Sequence, residues 1–285
     1  MTTTTGLLDL RAAPGGEWSW IETQPLQVDQ HRLRGRLTTF EPITLAEMDG
    51  AALLDRSELK YVLPQHLLLP LLSELRDAFQ VLVVAGQPFS HYRTLYFDTA
   101  DLAMYRRHHA GAPDRYKVRA REYVDSHVAF LEVKHKTGLR HTVKNRIPTE
   151  LPVTALPRHA AGFLAQACPY PVDVLTACLW NDYTRITLVS KQRTGRVTLD
   201  LDLAFAWGEQ RVALPGIVVV EAKYEGLRHA AEFTRLMRAH HMRDTSFSKY
   251  CMGVSLLYPQ VKHNRFKAKQ RLVTRLTQGV SHELC

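Results

Sequence analysis

The stretch DRYKVRAREY (residues 114–123) carries a basic side chain at every second position: Arg115, Lys117, Arg119 and Arg121. Successive side chains of a β-strand point to opposite faces of the sheet. If this stretch is a strand, its four basic side chains therefore share one face, and Tyr123 extends the row. A single strand of this kind is usually a solvated face of a sheet.

Two later segments repeat the alternation. FLEVKHK (130–136) places Glu132, Lys134 and Lys136 on one face, and RHTVKNRI (140–147) does the same with Arg140, Thr142, Lys144 and Arg146. Like charges on neighbouring strands repel each other, so adjacent basic faces are costly without a ligand. The three segments together predict a sheet that binds a polyanion.

The composition agrees with an anionic partner. The chain has 285 residues, of which 45% are hydrophobic, a net charge of +9 and a pI near 9.5. This length suits one large domain or two small ones with a sizeable core. A strong positive charge favours partners such as phosphate compounds, nucleic acid or an acidic membrane surface.

The sequence predicts a cytoplasmic protein. Its four cysteines form no CxxC pair, so neither a disulfide framework nor a zinc site is expected. The start of the chain has no signal-peptide pattern. No apolar run approaches the roughly 18 residues that a transmembrane helix needs, so we expect no transmembrane segment.

The pattern along the chain divides it into three parts. Residues 1–50 are a peripheral or partly ordered segment, residues 51–260 the main domain, and residues 261–285 a basic tail. In the main domain, two or three helices interrupt about eight mostly antiparallel strands, which predicts an α+β fold. The expected strands are 56–63, 92–99, 115–124, 127–135, 140–147, 183–190, 196–205 and 216–224. Two topologies remain open: an open sheet that exposes its charges, or a closed barrel that encloses them.

Acidic residues also occur inside the predicted strands: Glu58, Glu132, Asp200, Asp202 and Glu221. The segment RVTLDLDL (196–203) places Asp200 and Asp202 on the face of Arg196. Many basic groups with a few carboxylates match a site for phosphate and a divalent metal ion, Mg²⁺ or Mn²⁺. The alternative for each acid is an interstrand salt bridge. For Glu221 we favour the metal ligand.

Several other functions lack their motifs. The chain has no GxxxxGK[ST] loop, no GxGxxG fingerprint and no nucleophile elbow. Nucleic acid is not expected as a partner, because the interleaved carboxylates would repel a phosphate backbone unless metal intervened.

Nine short motifs, in this order, resemble the VTC domain, the polyphosphate polymerase domain of the vacuolar transporter chaperone family. This family belongs to the triphosphate tunnel metalloenzymes, a CYTH-like superfamily. The resemblance covers about residues 55–258. The motifs are RSELKY (56–61), YFDT (96–99), YKVRAREY (116–123), LEVK (131–134), VKNR (143–146), YTR (183–185), RVTLD (196–200), VEAK (220–223) and FSKY (247–250).

The resemblance implies an antiparallel eight-stranded β-barrel with a basic tunnel. It implies a transferase that moves the terminal phosphate of ATP to a growing polyphosphate chain, with Mn²⁺ or Mg²⁺. Glu221 is implied as the metal ligand. The implied catalytic tunnel residues are Lys60, Arg119, Arg121, Lys134, Lys144, Arg185, Arg196 and Lys249. Further phosphate contacts are expected from Lys117, Arg146, Tyr183, Ser248 and one of Arg106 and Arg107, of which we choose Arg107.

One position departs from the motif of the wider superfamily, and this narrows the class of protein that the chain resembles. The wider superfamily often begins with an E-x-E-x-K motif, and here Arg56 stands in place of the first acid. This agrees with the VTC branch and argues against a metal site like that of thiamine triphosphatases or class IV cyclases. The sequence leaves open a metal-dependent triphosphatase and a polyphosphate-binding module without turnover. It also leaves open the nucleotide, the metal and the oligomeric state.

Overall fold

The computed structural model describes residues 30–49, 56–138, 141–151, 154–156 and 159–278. Within them the chain forms one eleven-stranded sheet and eight α-helices. The strands are β1 Glu41–Ile43, β2 Arg56–Pro64, β3 Phe79–Leu82, β4 Ser90–Thr99, β5 Arg115–Tyr123, β6 Val128–Lys136, β7 Thr142–Thr149, β8 Leu175–Ser190, β9 Gly195–Trp207, β10 Gln210–Leu214 and β11 Ile217–Glu225. The helices are α1 Gln30–Leu37, α2 Leu45–Asp49, α3 Leu68–Leu75, α4 Ala103–Ala110, α5 Ala160–Ala167, α6 Leu227–Ala239, α7 Lys249–Leu257 and α8 Lys267–Gln278.

Eight strands form the main path of the sheet, in the order β2-β11-β9-β8-β4-β5-β6-β7, and each neighbouring pair is antiparallel. These are the eight strands that the sequence predicts, so the α+β fold class is confirmed. Three short strands were not predicted: β10 pairs with β9, β3 with β8, and β1 runs parallel to β3. The helices are also more numerous than the two or three expected.

The sheet curls around a central space. β2 and β6 lie six strands apart in the path, which in a flat sheet is roughly 29 Å. Yet Lys134 on β6 is near enough to Lys60 on β2 for its charge to lower the pKa of Lys60. The sheet is therefore curved, and its inner face corresponds to the tunnel that the sequence resemblance implies.

The barrel is not closed by hydrogen bonds. The path ends at β2 and β7, and these two strands do not pair with each other in the part of the chain that the structure describes. At Lys60 the edge of β2 is covered instead by the loop after α6, where the Thr245 N–H donates to the Lys60 carbonyl oxygen at 2.7 Å. The implied closed barrel is therefore corrected to a curled sheet with one seam.

The outer face of the sheet is apolar and carries helices. α1, α3 and α6 cover β2, β8, β9 and β11, where Leu63, Leu188, Leu199 and Val220 are almost fully buried. α5 packs with apolar residues of β4, β5 and β6 in a second cluster. Because side chains alternate along each strand, this outer core leaves the charged positions on the inner face.

Two C-terminal helices pack against one end of the inner face. Val254 and Leu257 of α7 are buried with Leu179, Phe205 and Val219 from the strands. α8 adds Val273 to the same cluster. α8 lies inside the segment 261–285, which the sequence analysis describes as a basic tail.

Residues from the predicted peripheral segment also join the core. Leu33 and Leu37 of α1 are buried against α3, while residues 1–29 lie outside the described part of the chain. No helix in the described residues is long and apolar enough to cross a bilayer. Cys168, Cys178 and Cys251 are free and buried.

Candidate phosphate-binding tunnel

The register of β5, β6 and β7 brings the basic positions together. Arg119 pairs with Glu132, which pairs with Arg146, and Lys117 pairs with Lys134, which pairs with Lys144. Directly opposed residues lie on the same face of a sheet. The shared basic face predicted from the alternation is therefore present in the described residues. Arg140, which the sequence places on this face, lies outside them.

Glu132 is the counter-ion of the β5–β7 cations. Its carboxylate is 1% exposed and lies 2.7 Å from Arg119 Nη2, 2.5 Å from Lys144 Nζ and 3.9 Å from Arg121 Nη1. Burial disfavours the carboxylate, but the three cations outweigh it and hold the pKa of Glu132 well below its usual value. Of the two roles left open by the sequence, Glu132 has the interstrand salt bridge.

Asp200 has the same role on β9. It is buried and binds Arg185 through two hydrogen bonds, 2.5 Å from Nε to Oδ1 and 2.7 Å from Nη2 to Oδ2. Lys249 Nζ donates to the same carboxylate and lies 4.5 Å from the centre of the Tyr183 ring. The structure thus brings the predicted residues Arg185, Lys249 and Tyr183 together around a salt-bridged Asp200.

Ser248 begins α7 and reaches across to β5. Its Oγ accepts the Cys251 N–H at 3.2 Å, which caps the helix, and also accepts from Lys117 Nζ at 3.0 Å. Burial lowers the pKa of Lys117 to about 8. These contacts place Ser248 and Lys249 of the FSKY motif on the inner side of the sheet.

Glu221 lies among lysines where β2, β11 and β9 meet. Its carboxylate is 2.8 Å from Lys60 Nζ and 2.5 Å from Lys223 Nζ, and Lys60 also donates to Glu58. Burial opposes ionisation of Glu221, but the two ammonium groups keep its pKa well below the usual value. Arg196 is opposite Lys223 on β9, so it faces the same side of the sheet.

Two carboxylates beside Lys60 are the candidate ligands for a divalent ion. Glu58 and Glu221 both contact the Lys60 ammonium, so the two carboxylates converge on the volume of one cation. Mg²⁺ binds proteins through one or two carboxylates together with waters and substrate phosphates. Glu221 and Glu58 are the residues that would hold such an ion. No group of three or more His, Cys, Asp or Glu side chains with metal-binding geometry occurs in the described ranges.

Positive charge on the inner face exceeds what the carboxylates neutralise. Lys134 forms no ion pair with a carboxylate in the described part of the chain, and its pKa is lowered mainly by burial. The nearest carboxylate contact of Arg121 is the 3.9 Å distance to Glu132. The Tyr183 hydroxyl and Arg121 Nε are buried without a hydrogen-bond partner among the described residues. An anion accepts hydrogen bonds from donors of this kind.

Two predicted contacts lie at the margin of the tunnel or outside it. Arg107 is exposed, and its Nε donates to the Asp114 carbonyl oxygen at 3.0 Å, because α4 lies over the ends of β4 and β5. Arg106 pairs with Asp101 at 3.1 Å. Arg146 is on the inner face of β7 but exposed, stacked 4.6 Å from the centre of the Phe130 ring.

The prediction that Asp202 lies on the same face of β9 as Asp200 is wrong. Asp202 has a φ of 52°, and the pairing of β8 and β9 shifts register next to it. Such a bulge interrupts the alternation of side chains, so Asp202 does not continue the row of Asp200. Burial raises its pKa to about 6, with His91 as the neighbouring charge.

Two inner-face residues were missed as site residues by sequence reasoning. The Tyr92 ring stacks on Tyr183 with centroids 5.2 Å apart and lies beneath Arg121 and Arg185, at 5.5 and 5.1 Å. Lys223 pairs with Glu221. Both stand at inward positions of predicted strands, so alternation alone could have identified them.

The sequence profile of the VTC domain matches residues 55–258, well over half of the chain. The chain belongs to the VTC domain family. No curated protein sequence matches it.

Solved structures show a weaker likeness. A putative adenylyl cyclase from Hippeastrum, HpAC1, described as having a dominant triphosphatase activity, is similar with a TM-score of 0.44 and 13% identity, covering 70% of this chain and 94% of that one. The PH1012 protein from Pyrococcus horikoshii OT3 has a TM-score of 0.41 and 9% identity, covering 69% and 99%. The family assignment rests on the sequence match alone.

Proposed function

We propose that this protein is a metal-dependent polyphosphate polymerase-like enzyme, which transfers the terminal phosphate of ATP to a polyphosphate chain on the inner face of the sheet. The observation that carries the proposal is the excess of inward cations over carboxylates: among the described residues Lys134 has no carboxylate ion pair, and Arg121 comes no closer than 3.9 Å to Glu132. Membership of the VTC domain family supports the choice of phosphates as the anion. ATP or another triphosphate and polyphosphate are the partners that follow. The cytoplasmic location stays a prediction.

The geometry suits phosphoryl transfer because the cations are fixed before any substrate binds. Glu132 holds Arg119, and Asp200 holds Arg185 and Lys249. Charge fixed in advance in a water-poor site stabilises the charge of the transition state more than mobile side chains do. In the reaction, the bond between the β-phosphate oxygen and the γ-phosphorus breaks. A terminal oxygen of the acceptor phosphate bonds to that phosphorus, and ADP leaves.

The carboxylates divide into two kinds. Glu132 and Asp200 are about 1% exposed and fully used by cations. Glu221 and Glu58 are more accessible, with side-chain exposures of 24% and 35%. Glu221 and Glu58 would hold a Mg²⁺ or Mn²⁺ ion, which would supply positive charge to the phosphate oxygens. Lys60 and Lys223, which contact Glu221, bind phosphate oxygens.

The direct test is incubation of the purified protein with ATP and Mn²⁺, followed by a gel stained for polyphosphate and an assay for free phosphate. Polymer is the expected product. Release of phosphate without polymer would assign a triphosphatase. Binding of tripolyphosphate without either product would assign a binding module.

Glu221→Gln is expected to reduce turnover at least tenfold, a change of about 1.4 kcal/mol, because it removes a charged ligand from the metal site. Glu209→Gln, at an exposed turn between β9 and β10, is the matched control. Turnover is measured over a range of Mn²⁺ concentrations. A folded Glu221→Gln enzyme with the activity of the control would remove Glu221 from the metal site.

A further inference from the structure

Lys60 occupies a special position on the free edge of the sheet. It is the cross-strand partner of Glu221, and its own N–H and C=O both bond away from β11. In an antiparallel pair whose backbones do not bond to each other, the Cα atoms are closer and the side chains nearer. This geometry brings the Lys60 amine to 2.8 Å from Glu221.

The loop between α6 and α7 binds both of these backbone groups. Asp244 Oδ1 accepts the Lys60 N–H at 2.9 Å, and the Thr245 N–H donates to the Lys60 carbonyl oxygen at 2.7 Å. Without such contacts, an edge strand presents unpaired backbone N–H and C=O groups and has hydrogen bonds to a neighbouring strand on one side only. The loop therefore replaces a neighbouring strand at this single residue of β2.

The same loop leads directly into the tunnel. Three residues after Thr245 it reaches Ser248, which binds Lys117, and then Lys249, which binds Asp200. One short segment thus fixes the backbone of Lys60 from outside the sheet and supplies two groups to its inner face. The Asp244 carboxylate contacts the Lys60 backbone, while the Lys60 amine is on the opposite side, between Glu58 and Glu221.

We propose that Asp244 is a positioning residue for phosphate binding: by holding the edge of β2 at Lys60, it keeps the Lys60 amine on the inner face. This rests on the proposed function, in which Lys60 binds phosphate. Loss of the Asp244 acceptor leaves the Lys60 N–H without its partner at a free edge. The strand then moves there, and the amine leaves its place between the two carboxylates.

The first measurement is the affinity for tripolyphosphate by titration calorimetry. Asp244→Ala is expected to raise the Kd at least fivefold, whereas Asp244→Asn, whose amide oxygen can accept the same hydrogen bond, is expected to stay within twofold of the unchanged protein. Asp77→Ala removes an equal charge at an exposed site paired with Arg76, and is the control. A Kd for Asp244→Ala equal to that of the control would overturn the proposal.

The second measurement needs no phosphate ligand. The lysine amines are acetylated with a limiting amount of acetic anhydride, and the modification of each lysine is followed by mass spectrometry. In Asp244→Ala the Lys60 amine, which gains solvent, is expected to react at least threefold faster than in the unchanged protein, while the rate at Lys144 stays the same. An unchanged reaction rate at Lys60 would also overturn the proposal. If the unchanged protein fails to bind tripolyphosphate, the proposed function fails, and the reaction rate of Lys60 still decides the role of Asp244.

Discussion

At the residue scale, the buried acids of the tunnel act through the cations that they hold. Asp200 binds Arg185 with two nearly parallel hydrogen bonds, a geometry that restricts the guanidinium strongly. A buried ion pair adds little to stability by itself because both charges lose their water. The buried ion pairs instead fix the orientation of the cationic side chains, which point toward the centre of the curled sheet.

Lys249→Ala tests this view at one residue. The substitution removes a cation from the inner face but leaves Asp200 its two hydrogen bonds to Arg185. We therefore expect tripolyphosphate binding or turnover to fall at least tenfold, about 1.4 kcal/mol, with little change in unfolding temperature. Lys191→Ala is the control, because Lys191 pairs with Glu41 outside the tunnel at 2.5 Å. Equal kinetics in the two variants would exclude Lys249 from the site.

Residue positions were predictable where the strands are regular. Alternation alone placed Arg119, Lys134 and Lys144 on a common face, because a strand repeats every two residues. It failed at Asp202, since a bulge changes the repeat and leaves no mark that periodicity can detect. The salt-bridge role of Glu132 also needed the structure, because the register of neighbouring strands decides which cation an acid meets.

At the element scale, α7 connects the packing of the core to the site. Ser248 caps the helix, Lys249 is its first residue in the tunnel, and its other end packs on the inner face. Gly253 lies where the helix is closest to the strands: a Cβ atom there would be 2.6 Å from Phe205 and 2.7 Å from Leu179. Glycine thus permits the close approach of α7.

Gly253→Ala is expected to lower the unfolding temperature and to weaken tripolyphosphate binding. Overpacking a core costs roughly 1–3 kcal/mol, which exceeds the gain of up to about 1 kcal/mol from replacing glycine in a helix. Displacement of α7 would also move Ser248 and Lys249. Gly162→Ala in α5 is the control, because a Cβ there meets nothing within 4 Å, and it should stabilise slightly. A Gly253→Ala protein as stable as this control would show that α7 is not closely packed.

The sequence identified long elements better than short ones. All eight strands of the main path were predicted, because each has eight or more residues that show alternation or a run of strand-forming residues. β1 has only three residues and β10 five, so neither shows enough alternation to be recognised. α8 was expected as tail because its polar face dominates the composition, although Val273 packs into the core.

At the scale of the whole molecule, the curvature of the sheet brings the basic faces of separate strands around one central space. Neither the curl nor the seam between β2 and β7 could be predicted from periodicity. Periodicity shows which face of a strand each side chain occupies, but not whether the sheet closes on itself. The curl brings the amine of Lys134 close enough to disfavour protonation of Lys60. It also removes them from water, and burial lowers the pKa of Lys60, Lys117 and Lys144 to about 8.

These values predict how stabilisation by a polyanion depends on pH. A ligand that binds only the folded protein stabilises it, by about 2.7 kcal/mol at a hundred times its Kd. At pH 7 the three lysines are mostly protonated, so millimolar tripolyphosphate in low salt is expected to raise the unfolding temperature. At pH 9 they are mostly neutral, and the increase should be much smaller.

In the ligand-free protein, the same lysines make the stability of the fold change with pH in the opposite direction. Their pKa is near 8 in the folded protein and roughly 10.4 in the unfolded chain. The unfolded state therefore binds more protons between these values, and the lysines' contribution to stability increases as pH rises through that window and is lost as pH falls through 8. Scanning unfolding from pH 7 to 9, with and without tripolyphosphate, separates the two effects. A ligand-induced increase that is absent at pH 7, or is as large at pH 9, would contradict a tunnel that binds phosphate through these lysine ammonium groups.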